Sequence, residues 1–411
     1  MLTYRKSAKS VITMARLSNL TIKGFKSILD QSIDLGQLNI FIGTNGAGKS
    51  NILEAIAMLS SSLEGQVDYD RLARRGARLS SPEIFKSSFR NKGRRATISL
   101  SAEGDNSAYS ANILASDSAS NSFSFHSESL YSNGKRVAGR SGNGATILGK
   151  SAQRIPPGTS ISSLYDLFHG LPKEMESLKD FAIYSPATPI LRGSAPDTSN
   201  KSPLGLYGGR MAEALNEYLA DTNKKDIQRF FRLLDWFQLV GSTESINQKL
   251  LSEHVSLGKK VVFFKDKFMK VNFNHIYSYD VSEGALFTLF VLLLLCHKNS
   301  PNIFALDNVD SALNPGLVRE LMKHIAEILK GKPEKQMFLT THNPTTLDAI
   351  DLFNPEHRLF VVQRETDGVT VVKRIEPPKG FTKEDWIEKY YGMKLSELWL
   401  AGVFGALPVG Y

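Results

Sequence analysis

Residues 43–50, which read Gly-Thr-Asn-Gly-Ala-Gly-Lys-Ser, constrain the fold of this chain more than any other segment. A short apolar run at 38–42, typical of a buried strand, comes directly before them. After them the apolar side chains change to helical spacing: Ile52, Leu53, Ile56 and Leu59. A strand, a glycine-rich loop and a helix in this order form a phosphate-binding unit, because backbone N–H groups and the helix N-terminus both face the anion.

The residue types in this loop fit the chemistry of phosphate binding. Glycines let backbone N–H groups turn inward, Lys49 can reach the β- and γ-phosphates, and Ser50 offers its hydroxyl to Mg²⁺. The apolar run 303–306 ends at Asp307, whose carboxylate would help Ser50 hold the Mg²⁺. The predicted nucleotide-binding residues of the loop are Gly43, Asn45, Gly46, Ala47, Gly48, Lys49, Ser50 and Asn51.

Helix and strand signals alternate in the second half of the chain. An apolar helix at 285–297 is followed by a buried strand at 303–306, a helix at 315–330 and a strand at 336–341. This alternation predicts an α/β fold whose core sheet is mostly parallel and flanked by helices. Because no heptad pattern is sustained, we expect no long coiled coil.

Two further segments predict additions to this core. Residues 97–150 are rich in serine, with Ser118, Ser120, Ser122 and Ser124 alternating around Phe123 and Phe125, and Asn133-Gly134 is a hairpin signal. We interpret this segment as an antiparallel β insert, with a disordered serine-rich loop as the alternative. The pattern at 205–240 is helical, and 261–264 with 271–273 suggests a short hairpin.

Three later motifs add a family resemblance. Ser282-Glu283-Gly284 precedes the apolar helix, Ser311-Ala312-Leu313-Asn314 follows Asp307, and Thr341-His342-Asn343-Pro344 closes a strand. In order and spacing they resemble the signature, D-loop and switch histidine of an ABC-type ATPase head. Together with Ile22-Lys23-Gly24-Phe25-Lys26-Ser27, they resemble the RecF/SMC/OLD-like branch, particularly the compact ATPases of bacterial anti-phage systems such as Septu, Gabija and PARIS. The resemblance spans residues 15–75 and about 275–365.

The resemblance implies ATP and Mg²⁺ as cofactors and a homodimer or higher homo-oligomer. In that family two heads enclose two nucleotides, each between one subunit's phosphate loop and the other's signature. Ser282 and Gly284 would then contact the γ-phosphate of the opposite nucleotide, and His342 would sense the γ-phosphate. ATP would act as a link between subunits because it binds the closed dimer better than the open monomer.

One residue departs from the family pattern. Asn308 follows Asp307 where the family usually has a glutamate that orients or activates the attacking water. A carboxamide can position water but cannot act as a general base. The catalytic candidates are therefore Asn308, Asp310 and His342, and three interpretations remain open: slow hydrolysis, help from Asp310 or His342, or an altered residue. We expect slow ATP hydrolysis, with ATP serving mainly as a conformational signal.

A basic stretch offers a possible partner surface. Six arginines define the candidate patch: Arg71, Arg74, Arg75, Arg90, Arg94 and Arg95. The net charge of +9 agrees with an acidic partner such as nucleic acid. A solvated face or a set of contacts to a partner protein is the favoured interpretation of this patch, and a nucleic-acid groove is the alternative.

The sequence also suggests a domain organisation and a location. We expect an ATPase lobe at 15–200 that carries the insert, a helical segment at 201–260 and a second ATPase lobe at 261–411. The apolar run 285–296 is shorter than the roughly 20 residues that span a bilayer, so we expect a cytoplasmic protein without a membrane partner. The apolar C-terminal tail, 395–408, either packs on the core or docks another subunit.

Two functions from different classes fit these observations. In the first, the ATPase regulates or scaffolds a separate effector, a toxin or a nuclease, plausibly in anti-phage defence. In the second, it is a RecF-like clamp that closes on DNA under the control of ATP. A nucleotide sensor without an effector is a third, less favoured hypothesis.

Overall fold

The computed structural model describes residues 15–115, 123–221, 233–251, 257–310 and 313–405. Parts of the segments interpreted from the sequence lie outside the described residues: Ser118, Ser120, Ser122, residues 222–232 of the predicted helical segment, Ser311, Ala312 and the chain beyond 405. The described residues form three β-sheets with helices packed between and around them.

A six-stranded sheet forms the centre of the fold. In spatial order its strands are β10 (Ala182–Tyr184), β14 (Ile303–Leu306), β15 (Gln336–Thr341), β3 (Leu38–Ile42), β16 (His357–Arg364) and β17 (Thr370–Ile375). All neighbours pair in parallel except β16 and β17. β3, β14 and β15 are buried along their whole length, as expected of parallel strands covered on both faces. The predicted mostly parallel sheet is confirmed.

An eight-stranded antiparallel sheet packs beside it. Its strands, in spatial order, are β2 (Ile28–Asp34), β1 (Leu17–Phe25), β4 (Thr97–Gly104), β5 (Ser107–Ala115), β6 (Phe123–Ser132), β7 (Lys135–Ser141), β8 (Gly144–Ile147) and β9 (Lys150–Ala152). The predicted insert is thus antiparallel β-structure that extends the sheet begun by β1. The hairpin expected at Asn133-Gly134 is present, and both residues have positive φ angles of 50° and 74°.

The helices of the described residues connect and cover these sheets. They are α1 (Lys49–Glu64), α2 (Tyr69–Arg74), α3 (Pro82–Phe85), α4 (Ile161–His169), α5 (Lys173–Lys179), α6 (Thr188–Leu191), α7 (Met211–Ala220), α8 (Glu283–Cys296), α9 (Pro315–Lys330), α10 (Lys383–Lys389) and α11 (Leu395–Leu400). Short 3₁₀ segments occur at Gln248–Leu250, Val271–Phe273 and Pro344–Ala349. None of these helices combines the length and apolar character needed to cross a membrane, within the part of the chain described.

Two helices are almost completely enclosed. α1 contacts β1 and β4 of one sheet and β10 and β15 of the other, so only the ends of the helix reach solvent. α8 is buried from Ala285 to Leu295 and is apolar on all sides, as the sequence predicts for a core helix. The phosphate loop therefore starts a helix that is fixed by both sheets.

The structure corrects the predicted helical middle segment. α7 is helical, but Phe237–Thr243 forms strand β11, which pairs with β12 (Val261–Asp266) and β13 (His275–Tyr277). The aromatic run before residue 240 does not distinguish a helix from a strand by spacing alone. The second hairpin strand is also later than predicted, because Val271–Phe273 is a 3₁₀ turn.

The C-terminal segment packs on the core as far as the structure describes it. Leu395, Leu398, Trp399 and Phe404 are buried in the same cluster as α8 and β14. Of the two alternatives for this tail, packing is confirmed through residue 405.

Candidate nucleotide site

The phosphate loop connects the end of β3 to the start of α1. Gly46 and Gly48 have φ angles of 77° and 109°, which L-residues with side chains rarely adopt. A Cβ atom on Gly43 would lie 2.1 Å from the carbonyl oxygen of Val362, and one on Gly48 would lie 2.4 Å from the hydroxyl of Thr370. The glycines are thus required by the backbone and by the close approach of β16 and β17.

Lys49 folds back over the loop. Its Nζ donates hydrogen bonds to the carbonyl oxygens of Gly43, at 2.7 Å, and Thr44, at 3.0 Å. Burial lowers the pKa of Lys49, although the carboxylates of Asp307 and Asp310 oppose this shift. The ammonium group is therefore held inside the loop, where a nucleotide phosphate could replace the two carbonyl partners.

Ser50 and Asp307 meet at the end of the central sheet. The Ser50 hydroxyl lies 3.2 Å from Asp307 Oδ2, and Thr340 at the end of β15 donates a hydrogen bond to Asp307 Oδ1. A hydroxyl and a carboxylate, both oxygen donors, are suitable ligands for Mg²⁺, which keeps several water ligands of its own. Ser50 and Asp307 would therefore hold the cation beside the phosphates, as the sequence predicts.

Asn308 adopts a left-handed conformation directly after this acid. Its φ angle is 55°, and its backbone N–H donates to Thr340 Oγ1 at 2.9 Å. Asparagine tolerates this conformation better than most residues. Asn308 lines the cavity at the phosphate loop, at the position where the ABC-type ATPases that the sequence resembles usually have a glutamate.

Asp310 and His342 form a second polar pair near the loop. His342 Nε2 lies 3.7 Å from Asp310 Oδ2, and the side chains are 52% and 2% exposed. The structure thus brings together Lys49, Ser50, Asp307, Asn308 and Asp310 with His342, and their ligand roles remain predictions.

The cavity at the phosphate loop has a volume of about 360 Å³. Two arginines that the sequence interpretation did not assign to the nucleotide site line it, Arg78 and Arg364. Arg78 donates from Nε to Glu54 Oε1 at 2.6 Å and also reaches the side-chain oxygen of Asn51 at 3.0 Å. These contacts aim a guanidinium group, the usual partner of phosphate, into the cavity.

Glu54 organises this side of the cavity from inside α1. Its side chain is 3% exposed and also pairs with Lys26 Nζ at 2.5 Å. Burial alone would raise the pKa of Glu54, but the hydrogen bond from Arg78 and the charge of Lys26 together lower it. In the sequence, the signal for this cluster is Glu54 itself, a single acidic residue on the buried side of the apolar helix α1.

A second cavity of about 410 Å³ adjoins the first. The two cavities share Gly46, Asn51, Arg78 and Arg364. The remaining lining is mostly polar or charged but includes the apolar side chains of Ile84 and Phe89, which belong to the basic stretch in the sequence. An aromatic ring beside a phosphate cavity can stack against a nucleoside base.

The signature segment lies elsewhere. Ser282 precedes α8, makes no capping hydrogen bond with its side chain and is exposed, and Glu283 accepts a hydrogen bond from Thr188. Neither Ser282 nor Gly284 lines the cavity at the phosphate loop. One chain therefore does not join its signature to its own nucleotide site in this structure.

The candidate basic patch divides into two groups. Arg71, Arg74 and Arg75 all approach Glu64, and Arg75 is only 5% exposed because it also bonds Ser60 and the backbone of Lys179. The prediction that Arg75 contacts a partner is therefore wrong. Arg90, Arg94 and Arg95 remain exposed, although Arg94 pairs with Glu83 and Arg95 with Asp30.

Comparison with known proteins assigns a family. Residues 38–348 match the family model described as "AAA domain, putative AbiEii toxin, Type IV TA system". The chain belongs to this family. The match spans both the phosphate loop and Asp307, and this AAA-type family supports the assignment of a P-loop ATPase. No curated protein matches the chain.

Solved structures show the fold of this AAA family member. An SMC head bound to the C-terminal winged-helix domain of ScpA is 15% identical, with a TM-score of 0.53, over 89% of this chain and 100% of that chain. An SMC head with an extended coiled coil, bound to ScpA derived from Pyrococcus furiosus, is 13% identical, with a TM-score of 0.51, over 92% and 98% of the two chains. The fold is therefore that of an SMC-type ATPase head, and the predicted fold class is confirmed.

Proposed function

We propose that this protein binds ATP with Mg²⁺ at the phosphate loop, hydrolyses it slowly and uses the bound state to control a separate effector. The observation that carries the proposal is that Lys49 and Ser50 line one cavity together with two arginines, and that Asp307 lies 3.2 Å from the Ser50 hydroxyl. The cavity offers a buried ammonium group and guanidinium groups for the phosphate charge, and the Ser50 hydroxyl at its wall has the Asp307 carboxylate beside it as a second ligand for the cation.

Slow hydrolysis follows from Asn308. The side chain at this point of the cavity can donate to or accept from a water molecule, but it cannot take a proton from one. Bound ATP would therefore persist long enough to act as a signal. The dissociation of subunits or of a partner, more than phosphate release, would then set the length of the active state.

Head-to-head dimerisation is supported by the position of the signature. Ser282 is exposed and lies outside the cavity of its own chain, so it would reach a γ-phosphate only on a second subunit. The Ser282 side chain does not cap the N-terminus of α8, and the positive end of a helix favours an anion. In this arrangement ATP links two copies, and its loss releases them.

The separate effector is the part of the proposal that rests on the family description and not on the geometry of the nucleotide site. The family description names a putative toxin and a Type IV toxin–antitoxin system. We extend this to a separate effector of the toxin or nuclease class and to a role in defence. A DNA clamp is the second candidate, because Arg90, Arg94 and Arg95 are exposed. Internal ion pairs reduce the free charge of this surface, which favours the regulator.

The subunit mass in solution tests the proposal. We expect light scattering to give a monomer without nucleotide and a dimer with Mg²⁺ and a slowly hydrolysed ATP analogue. Ser282→Arg should bind the analogue but fail to dimerise, since a bulky cation would occupy the proposed interface. Lys323→Ala, on the exposed face of α9, is the matched control and should behave like the native chain. A native chain that binds the analogue and remains monomeric would overturn the dimer model.

A further inference from the structure

We propose that Thr370, on β17, is a positioning residue for the bound nucleotide. Its hydroxyl holds the peptide between Ala47 and Gly48 so that the Gly48 N–H faces the phosphates. This inference rests on the proposed nucleotide binding at residues 43–50 and deepens it with a residue from outside the loop. Thr370 lies 323 positions after Ala47 and belongs to none of the motifs from which the site was predicted.

Thr370 packs directly against the phosphate loop. The residue is fully buried, and its Oγ1 donates a hydrogen bond to the carbonyl oxygen of Ala47 at 2.8 Å. Its backbone N–H donates to the carbonyl oxygen of Ser27 at 2.7 Å, which fixes the start of β17 beside the β1–β2 turn. A Cβ atom on Gly48 would lie 2.4 Å from the Thr370 hydroxyl. The hydroxyl therefore reaches the loop from a backbone that is itself fixed.

A chain of hydrogen bonds ends at this hydroxyl. Because the one hydrogen of Thr370 Oγ1 is engaged by Ala47, Ser27 Oγ, at 2.7 Å, donates to Thr370 Oγ1. Ser27 Oγ accepts from Asn51 Nδ2 at 2.7 Å, and Asn51 Oδ1 accepts from Arg78 Nη2 at 3.0 Å. All these donors point in one direction, towards the Ala47 carbonyl oxygen, and the bonds of such a chain strengthen one another.

The anchored carbonyl sets the direction of the next N–H. In a planar trans peptide the C=O and N–H groups point in opposite directions. Since the Ala47 carbonyl points at Thr370, the Gly48 N–H points away from Thr370, and Gly48 lines the cavity at the phosphate loop. N–H groups that turn inward in this way are the phosphate ligands of such loops. The Thr370 hydroxyl thus fixes the orientation of a group that would contact the nucleotide.

The loop alone holds this peptide weakly. The Ala47 N–H donates to the carbonyl oxygen of Thr44 at 3.3 Å, which is longer than the usual hydrogen bond of this kind. Without the Thr370 hydroxyl, the Ala47 carbonyl oxygen would lose its donor, and rotation of the peptide would turn that oxygen towards the cavity. Its partial negative charge would repel a phosphate. The Lys49 ammonium is not part of the chain, so binding should be weakened and not abolished.

Calorimetric titration of the full chain with Mg²⁺ and either ATP or inorganic triphosphate tests this inference. Thr370→Val keeps the shape of the side chain without the donor. It should weaken both ligands by about tenfold, the effect of one hydrogen bond to a charged group, and should still bind about one ligand per chain. Thr370→Ser keeps the donor and should bind both ligands within about twofold of the native affinity. A role in folding alone would lower the number of binding sites and not the affinity.

Ser62→Ala is the matched control. Ser62 is a fully buried residue at the other end of α1, and its hydroxyl donates to the carbonyl oxygen of Met58 at 3.0 Å. This variant loses a comparable hydrogen bond and should bind both ligands like the native chain. If the valine variant does not fold, Thr370→Ala takes its place with the same expected result.

Three results would overturn the role of Thr370 while the proposed function stands. They are full affinity without the hydroxyl, weaker binding of ATP alone, and an equal loss in Thr370→Ser. Failure of both the valine and the alanine variants to fold, with a folded serine variant, would make the hydroxyl structural and would also overturn it. A folded native chain that binds neither ligand would contradict the proposed function, and the inference with it.

Discussion

The hydroxyl oxygen of Ser50 lies 3.2 Å from a carboxylate oxygen of Asp307, although 257 positions of sequence separate the two residues. This contact joins the first turn of α1 to the end of β14, two elements on different segments of the central fold. It exists because β14, β15 and β3 are parallel neighbours, so that their carboxyl ends share one edge of the sheet. The candidate cation site is thus a consequence of strand order.

The Ser50 and Asp307 pair predicts the dependence of ATP binding on Mg²⁺. Native affinity should fall when Mg²⁺ is removed, because the cation links the nucleotide to both residues. Asp307→Asn should weaken binding in Mg²⁺ by about tenfold, the effect of one charged hydrogen-bonding partner. Affinity without Mg²⁺ should change little in the variant, and calorimetric titrations in magnesium and in chelator measure both. A variant that keeps the full magnesium effect would contradict this role of Asp307.

The Glu54 cluster predicts a stability effect larger than a surface ion pair gives. Glu54→Ala should lower the free energy of unfolding by about 3–5 kcal/mol, because Lys26 would be left buried without its partner. Glu320→Ala, which removes the exposed pair with Lys323, should cost less than about 0.5 kcal/mol. Denaturant unfolding near neutral pH compares them, and equal costs would contradict the account.

The same cluster predicts a pH dependence with a definite sign. The pKa of Glu54 is lower in the folded chain than its ordinary value of 4.5, so the unfolded chain binds more protons in acid. The contribution of Glu54 is therefore fully present above about pH 4.5 and is lost as the pH falls through the folded pKa. The stability difference between the native chain and Glu54→Gln should shrink over that acidic range. A difference that grows in acid would contradict the assignment.

Two glycines of the phosphate loop should respond differently to alanine. Gly43→Ala places a Cβ atom 2.1 Å from the backbone of Val362 and should destabilise the fold by about 2 kcal/mol or more. Gly46→Ala meets no atom within 4 Å and has only the conformational cost of a positive φ, about 1 kcal/mol. Thermal unfolding should separate the two. A larger loss of stability from Gly46→Ala would show that the clash with β16 is not the reason for glycine at position 43.

Phe89, in the lining of the second cavity, should contact the base of the bound nucleotide and not its phosphates. Phe89→Ala should weaken ATP binding by about 1–3 kcal/mol, the range for stacking of a base on an aromatic ring. Binding of inorganic triphosphate should be unaffected, because it lacks the base. Phe268→Ala removes a ring that is 76% exposed at the β12–β13 turn and serves as the control. Equal losses for ATP and triphosphate would remove Phe89 from the base-binding role.

Much of this fold could be predicted from local patterns of apolar and glycine residues in the sequence. The loop at 43–50, the strands at 38–42, 303–306 and 336–341 and the helix α8 are each continuous segments whose spacing reports their burial. β2 escaped prediction because its charged and polar residues hide the alternation of a half-buried strand. β11 was misassigned because a short aromatic run fits either helix or strand.

The less predictable parts of the site depend on contacts between distant segments. In the sequence, Arg78 is one of several arginines in a basic stretch, and nothing distinguishes it from the others. In the structure, its hydrogen bonds to Glu54 and Asn51 hold it at the wall of the phosphate cavity. Arg75, three residues earlier, is buried by Glu64 and Ser60. From the sequence alone, the two arginines cannot be distinguished, because both lie in the same basic stretch. Their different roles follow from which face of α1 each one meets.

Binding of Mg²⁺ and ATP to the native chain, compared with Lys49→Ala, tests the central claim most directly. The account predicts saturable binding by calorimetry with about one ATP per chain, weakened by about tenfold or more in the variant, since each charged hydrogen bond contributes about 1.5–3 kcal/mol. Lys323→Ala should bind like the native chain. Equal affinity of the native chain and Lys49→Ala, or no binding by a folded native chain, would contradict the assignment of residues 43–50 as the nucleotide site.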